Sequence, residues 1–549
     1  MHQLSEFSPA FCRLLEKRNL RKASEIEAFL FSGLSSLYDP FLMKNMKEVK
    51  NRIEKAVHAH EKILIHGDYD VDGITGVAVL AKTLEKLGGE YKTFLPERER
   101  DGYGVSETAI HKAKEQGIGL IVTIDCGITA KHEIEIARFH GMDVIVIDHH
   151  RLPVDGLPNT NLILNPLQED CPYPFKELSA AGLAFKLSQA MTGDAAFEHL
   201  DLVALSTISD IAPLVGENRI LVKKGLEMLS ERKNVGIRAL AGVAKMKASK
   251  VDVGHVGFIL GPRLNAAGRM SSADTALQLL LTKNPREAES LAKILDAENK
   301  ARQRSERETT QEAIRKVEQT VNFNRERVIV VDGQGWHRGV IGIAASRLVE
   351  KYERPAIVIS VEKGVGRGSG RSIKGFHLFN ALRSCESVLD EFGGHEQAAG
   401  LTVQEKNIPF LREKINVFAL EHLSSEALKR HVAVDMEINL NELTGRFLEE
   451  LELLEPHGVG NPRPVFQSNG FQLETKPKRL YGETYEAVLT DGSMNYQAHL
   501  HEKQMLLYET SRPETRFEAA YSVKTKQWNG MKTLVLSIKE FGAKLPASV

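Results

Sequence analysis

The chain has 549 residues, 42% apolar and 26% charged, with a formal net charge of -1 and four cysteines. That length exceeds one core of ordinary size and predicts several domains with the balance of a soluble globular protein. Cys12, Cys126, Cys171 and Cys385 are widely spaced with no C-x-x-C pair, which excludes a zinc ribbon and a disulfide framework and fits a reducing compartment. With so little net charge, any phosphate-binding surface has to come from local clusters of Arg and Lys.

Residues 1–31 carry acids and polar groups throughout, with no h-region of a signal peptide. No window approaches the run of about 20 apolar residues that a membrane span needs. A cytoplasmic protein without membrane contact is expected.

Between residues 60 and 150 strands and helices alternate. Ile63–His66 is a short apolar run, followed by helical spacing over Gly73–Leu87 and a strand ending near Leu95. A helix is predicted over Ser106–Glu115, a strand over Leu120–Ile124, a helix over Thr129–Phe139 and a strand over Val144–Ile147. Continuous Val/Ile strands separated by helices indicate a parallel sheet covered on both faces, whose ligand site lies beyond the carboxyl ends of the strands. Residues 176–280 read as mainly helical. The charged stretch Pro285–Thr320, with Glu298, Lys300, Arg302, Arg304 and Glu308, predicts a long solvated helix between two lobes, a coiled coil being the alternative. A second α/β region follows: a strand at Val328–Val331, a helix over Val340–Lys351, a strand at Ala356–Ile359 and a glycine-rich stretch, Gly364–Gly375. From about residue 430 alternating segments, such as Val432–Ile438 and Thr533–Ile538, predict a β module with one helix near Leu443–Leu454.

The densest chemistry is His66-Gly-Asp68-Tyr-Asp70-Val-Asp72-Gly73, directly after a strand. Like charges this close disfavour joint ionisation unless a cation neutralises them. Oxygen-rich ligation suits Mg²⁺ or Mn²⁺, and imidazole tilts the choice toward Mn²⁺. An acidic turn capping the next helix is the bland reading, but it would use one Asp, not three. Two further strands end alike, Leu120–Ile124 in Asp125 and Val144–Ile147 in Asp148-His149-His150. Taken alone, Asp125 reads as a turn residue and a single His as a packed one. Recurrence at one sheet edge makes a two-metal site the economical account, with Asp210 a further contributor.

In this order the motifs resemble the DHH phosphoesterase superfamily and, within it, the bacterial RecJ exonucleases over nearly the full length. Supporting stretches are Asp101-Gly-Tyr-Gly104, Gly261-Pro-Arg263-Leu-Asn265-Ala-Ala-Gly-Arg269 and Gly335-Trp-His337-Arg-Gly339-Val-Ile-Gly342. Gly368-Ser369-Gly-Arg371-Ser372, Gly393-Gly394-His395-Glu-Gln-Ala-Ala-Gly400 and Pro456-x-Gly458-x-Gly460-Asn461-Pro462 complete the set. The resemblance implies an N-terminal segment (1–45), a parallel-sheet DHH domain (46–283), a connecting helix (284–322), an α/β DHH-associated domain (323–430) and an OB-like β-barrel for nucleic acid (431–549). It assigns one metal to His66, Asp70 and Asp125 and the second to Asp72, Asp125, His149 and Asp210, with Asp125 bridging. His150 would touch the scissile phosphate, and Asp68 would orient a ligand. Ser369, Arg371, Arg98 and one of Arg263 and Arg269 would grip a terminal 5′-phosphate. Tyr103, Asn265 and His337 would contact substrate, and the Gly394-His395 turn would close on its backbone.

For several of these residues a plainer reading stands beside that one. Gly364–Gly375 reads equally as an ordinary turn, and His337 and Arg338 as a helix cap. Trp528, with Tyr521, Lys524 and Lys526, is either a base-stacking strip or core packing.

The expected chemistry is two-metal phosphodiester hydrolysis releasing 5′-mononucleotides from single-stranded DNA, in recombination and repair. The resemblance adds a helicase and a single-strand-binding protein as companions, and a monomer. The enzymatic rival is a DHH oligoribonuclease or cyclic-dinucleotide phosphodiesterase, which the chain length and the β module disfavour. A non-catalytic DNA-binding scaffold is the rival of another class, and it has no need of the acids and His149 together.

Overall fold

The computed structural model describes residues 6–97, 100–102, 104–428, 431–502, 504–505, 515–528 and 531–543, of which residues 481, 526–528, 531, 532 and 543 by backbone alone. In the first lobe five parallel strands stand in the order β2-β1-β3-β4-β5. They are β1 (Ile63–Gly67), β2 (Tyr91–Phe94), β3 (Leu120–Ile124), β4 (Asp143–Ile147) and β5 (Ile163–Leu164). β1 and β3 are buried at every residue, which explains why the sequence shows apolar runs there and no alternation. Strand order reverses between β1 and β3, so the crevice at their carboxyl ends is the topological switch point of the sheet.

The helix Val71–Leu87 leaves β1, capped at its start by Asp70 and ended by Gly88 in the left-handed region (φ 76°). It packs against Ala180–Thr192 and Leu200–Ser209 in the largest of the cores. Pro285–Thr320 forms one helix of 36 residues, opened by Asn284 as cap and Pro285 in the first turn. Its buried residues, among them Ala288, Ala292 and Leu295 toward the first lobe and Ala313 and Val317 toward the second, tie both lobes to one rod.

The second lobe has a mixed sheet in the order β6-β7-β8-β10-β9. Its strands are β6 (Ile329–Gln334), β7 (Ala356–Glu362), β8 (Val365–Arg371), β9 (Glu391–Gly394) and β10 (Ala398–Gln404). Only β6 and β7 run parallel. The glycine-rich stretch is thus no turn over most of its length but the central strand. Gly366, Gly368 and Gly370 alternate toward the core, where a Cβ would come within 2.8–2.9 Å of Ile359, Leu401 or Leu378. Bulky neighbours on β7, on β10 and on the helix Leu378–Arg383 occupy the volume those side chains would need.

The C-terminal lobe is built from β11 (Met436–Glu437), β12 (Phe466–Leu473), β13 (Lys478–Tyr481), β14 (Thr484–Thr490), β15 (Asn495–His501), β16 (Phe517–Trp528) and β17 (Met531–Ala543). The order β12-β16-β17-β15-β14 closes on itself through pairing of β12 with β14, giving a five-stranded barrel of OB type. Of the strand expected over Val432–Ile438 only Met436–Glu437 pairs, in parallel with β12. The helices Pro9–Lys17 and Ala23–Phe31 belong to this lobe, because Phe11, Leu14, Leu15 and Leu30 share one core with Phe447, Phe466 and Tyr521. No described helix is long and apolar enough to cross a membrane.

Candidate metal centre and phosphate pocket

Every expected acid and imidazole of the first lobe stands at the switch point. Asp72, in the first turn of its helix, is 1% exposed and held at the start of the helix Ala180–Thr192. Its Oδ2 accepts from Ala180 N–H (2.8 Å), and its Oδ1 from Ala181 N–H (2.9 Å) and the Ser206 hydroxyl (2.6 Å). The amides that a helix start leaves without an intrahelical partner are thus met by this side chain. Asp70 Oδ1 accepts from the Asp72 and Gly73 N–H groups at 2.8 and 3.3 Å, so the loop is folded by its own ligand candidates. Asn265 Oδ1 accepts from Val71 N–H (3.0 Å), and Gly268 lets its helix approach until a Cβ would sit 2.3 Å from the Tyr69 carbonyl oxygen. Asn265 thus holds the metal loop in place, a role beside the substrate contact expected of it.

Asp125 follows β3 with φ 63°, in the left-handed region a non-glycine residue adopts at some cost. His149 Nε2 lies 3.2 Å from Asp125 Oδ1 and 3.6 Å from Asp72 Oδ2, and its Nδ1 lies 4.0 Å from Asp210 Oδ2. Asp148 points inward. Its Oδ2 accepts from Ile128 N–H (3.0 Å), and its Oδ1 accepts from His150 N–H (3.0 Å) and stands 2.7 Å from His150 Nδ1. A carboxylate only accepts, so Nδ1 carries a proton and the His150 ring is fixed in orientation.

Three overlapping sets result: Asp68, Asp70 and Asp125; Asp72, His149 and Asp210; and Asp125, His149 and His150, each with ligand atoms within 4.8 Å of one another. Asp125 joins two of them, and its buried Oδ1 accepts no hydrogen bond from the described residues. Asp68 stands within a set, not behind one as expected. His66 stands in none of the three; its Nε2 accepts from Ser106 N–H (3.2 Å) and its Nδ1 faces Cys126 Sγ at 3.8 Å. Burial drives the His66 imidazole down to about 4, so the ring is neutral at physiological pH.

The electrostatics ask for cations. Burial, then repulsion from Asp72, raises the Asp70 carboxyl, and burial with Asp72, Asp70 and Asp68 raises that of Asp125. Asp210 is lifted to about 8 by burial and then by Asp72 and Asp70. Burial depresses the His150 imidazolium, but Asp148, Asp210 and Asp72 more than reverse this and bring it to about 9. Carboxylates that repel one another in a dry crevice, with a buried acceptor left over, fit hard divalent cations.

The second lobe offers the opposite charge. Ser369 and Arg371 lie on the face of β8 turned to the helix Arg338–Tyr352, where a Cβ on Gly342 would meet Ser369 Oγ at 2.9 Å and Arg371 Nη2 at 3.0 Å. Arg371 Nη1 donates to Ser369 Oγ (3.1 Å) and to the Gly370 carbonyl (2.8 Å). Arg269 reaches from the first lobe and donates to the Gly339 carbonyl (3.1 Å), whereas Arg263 is committed to Asp296 (3.0 Å) and the Ile259 carbonyl (2.8 Å). Geometry therefore favours Arg269 over Arg263 for the pocket. His337 Nδ1 accepts from Gly339 N–H (3.0 Å), so it does cap the helix, as its plainer reading had it. Gly394 and His395 form the exposed β9–β10 turn, with φ 137° at Gly394 and His395 N–H donating to Ala398 (2.8 Å). Arg98 and Tyr103 lie outside the described residues, as do the Lys526 and Trp528 side chains. Tyr521 is fully buried beside Ser468 (2.8 Å), which takes it out of any stacking strip. The barrel interior claims it.

A doubly wound sheet whose switch point gathers aspartates and histidines in this order defines a DHH-type, metal-dependent phosphoesterase. The comparisons agree: the DHH family N-terminal domain matches residues 62–207, the DHHA1 domain residues 325–421 and the RecJ OB domain residues 434–540. The single-stranded-DNA-specific exonuclease RecJ of Bacillus subtilis (strain 168) is 39% identical over 97% of this chain and 68% of its own length. RecJ of Thermus thermophilus in complex with Mn²⁺ superposes with a TM-score of 0.83 at 30% identity, covering 99% of this chain and 77% of that one. Its complex with Mg²⁺ gives 0.77 at 29%, over 99% and 76%. The chain belongs to the RecJ family.

Proposed function

We propose that this protein is a metal-dependent exonuclease that removes 5′-mononucleotides from the 5′ end of single-stranded DNA. The observation that carries the reading is the convergence of Asp68, Asp70, Asp72, Asp125, His149 and Asp210 from three strand ends and one helix end into overlapping sets linked through Asp125 and His149. Asp68, Asp70 and Asp125 would hold one Mn²⁺ or Mg²⁺ ion, and Asp72, His149 and Asp210 the other. Bound there, such ions supply Lewis acidity at the phosphoryl oxygens and acidify water.

The chain's own groups do the rest. Asp148 aims the His150 imidazolium at the crevice, where it can donate to a non-bridging phosphate oxygen. Ser369, Arg371 and Arg269 suit a phosphate dianion, a hydroxyl and two guanidinium forks on one side of it. Holding the terminal 5′-phosphate there selects which linkage reaches the acids, and so sets both polarity and a one-nucleotide step. The barrel supplies a wall for the strand that follows. Work in recombination and repair, as a cytoplasmic monomer beside a helicase and a single-strand-binding protein, fits this reading.

The test is digestion of end-labelled oligonucleotides with and without Mn²⁺. Release of 5′-mononucleotides from the 5′ end of single strands, absent with chelator and far slower on blunt duplex, is expected. Faster turnover of dinucleotides than of long 5′-phosphorylated DNA would favour the oligoribonuclease or cyclic-dinucleotide reading.

A further inference from the structure

A hydroxyl in the middle of a helix commonly turns back on the carbonyl four residues earlier, as Thr207 does toward Val203 (2.8 Å). Ser206, its fully buried neighbour, reaches out of the helix instead and donates to Asp72 Oδ1 at 2.6 Å. That spends its only proton, so the Ser179 hydroxyl, 2.6 Å away, is the donor of that pair. The Ser179 oxygen in turn accepts from Gly182 N–H (3.2 Å) and caps the helix whose first two amides hold Asp72. Two buried hydroxyls thus point in series at one carboxylate. Ser206 also stands one turn before Asp210, whose N–H donates to its carbonyl (2.9 Å). It is therefore tied to both aspartates of the set Asp72, His149 and Asp210.

An ionised carboxylate has about four acceptor sites, shared equally by its oxygens. Both on Asp72 Oδ1 are taken, by Ala181 N–H and by Ser206, and one on Oδ2 is taken by Ala180 N–H. The site left over is on Oδ2, the oxygen that faces His149 Nε2 at 3.6 Å. An acid held in this way offers a cation one oxygen, not two. Octahedral Mg²⁺ and Mn²⁺ are suited by single oxygens, whereas Ca²⁺ takes about six to eight ligands in a looser shell that accepts bidentate carboxylates. We propose that Ser206 is a positioning residue that holds Asp72 as a one-oxygen ligand and so biases the second metal position toward Mn²⁺ and Mg²⁺ over Ca²⁺. This rests on the nuclease reading above, which gives Asp72, His149 and Asp210 to a cation.

Calorimetry of the full chain, stripped of metal and titrated with Mn²⁺ or with Ca²⁺, tests this role without a reaction. Ser206→Ala is expected to weaken Mn²⁺ binding about tenfold and Ca²⁺ binding little, so that the ratio of the Ca²⁺ Kd to the Mn²⁺ Kd falls about tenfold. Ser206→Thr keeps the hydroxyl and should keep the wild-type ratio. Thr83→Val is the control for losing a buried hydroxyl between the same two helices that meet at Asp72: its partners are the Val79 carbonyl (2.8 Å) and the Ser188 hydroxyl (2.8 Å), not a carboxylate. It should lower the urea midpoint and leave the ratio alone. An unchanged ratio in Ser206→Ala, a loss equal for both ions, or the same shift in Ser206→Thr or Thr83→Val overturns the role of Ser206 and leaves the nuclease standing. A wild type that binds neither ion and shows no turnover with Mn²⁺ defeats both.

Discussion

The two α/β lobes use their sheets in opposite ways. The first lets a parallel sheet end in a crevice and fills it with carboxylates and imidazoles, Asp70, Asp72 and Asp148 among them seated by backbone amides. The second places a glycine-rich strand in the middle of a mixed sheet and raises a hydroxyl and a guanidinium from its far face. One centre is so negative that its acids resist ionising together, and the other is positive. A phosphodiester chain with a phosphate at its end matches both. The first lobe should therefore govern whether a bond is broken and the second which bond it is.

Substitutions can break that division of labour. Asp125→Ala removes the residue common to two ligand sets. Turnover in Mn²⁺ or Mg²⁺ should fall at least roughly 10³-fold, while fluorescence anisotropy still detects binding of single-stranded DNA. Residual hydrolysis near wild type would dissolve the metal assignment. Asp148→Asn keeps the shape but loses the charge that holds His150, and should cost about 10- to 100-fold in kcat with metal affinity, read by calorimetry, far less changed. Arg371→Ala should raise KM about tenfold on 5′-phosphorylated strands and little on 5′-hydroxyl strands. A loss equal on both ends would mean that the second lobe does not read the terminus.

The smallest expected effect concerns the frame around both centres. Burial pushes His199 down to about 4 and His457 down to about 3, so the fold refuses protons that the unfolded chain accepts below about 6.5. Stability contributed by these neutral rings is present above that pH and is lost as pH falls toward 4, by about 1 kcal/mol for each ring at pH 5.5. Urea unfolding at pH 7.5 and 5.5 measures it. His199→Gln should shrink the difference, and an undiminished drop in that variant would count against the assignment.

The first lobe was largely legible because its rules are local. Val/Ile runs buried on both faces announce a parallel sheet, and topology alone carries Asp70, Asp125 and His149 to one edge. The second lobe was harder. β8 reads as a turn because glycine disfavours strands in isolation, and only Ile359, Leu401 and Leu378 on other elements turn Gly366, Gly368 and Gly370 into a tight fit. Nothing in the spacing separated Arg263 from Arg269 either, since their partners, Asp296 and the Gly339 carbonyl, lie 33 and 70 residues away. His66 shows the same limit: its place in the motif suggests a ligand, and spacing alone does not reveal that a distant amide, Ser106 N–H, meets its Nε2.

The shared core of the N-terminal helices and the barrel bears on biogenesis. Ser8 N–H donates to Glu450 across 442 residues of chain, and Phe11, Leu14 and Leu15 find much of their cover among residues of that distant lobe. During synthesis those side chains leave the ribosome long before their partners are translated, and must stay uncovered through the making of both α/β lobes. Translation that stalls before the barrel would release a polypeptide with a greasy, unsheltered stretch, one that holding chaperones and proteases should find first.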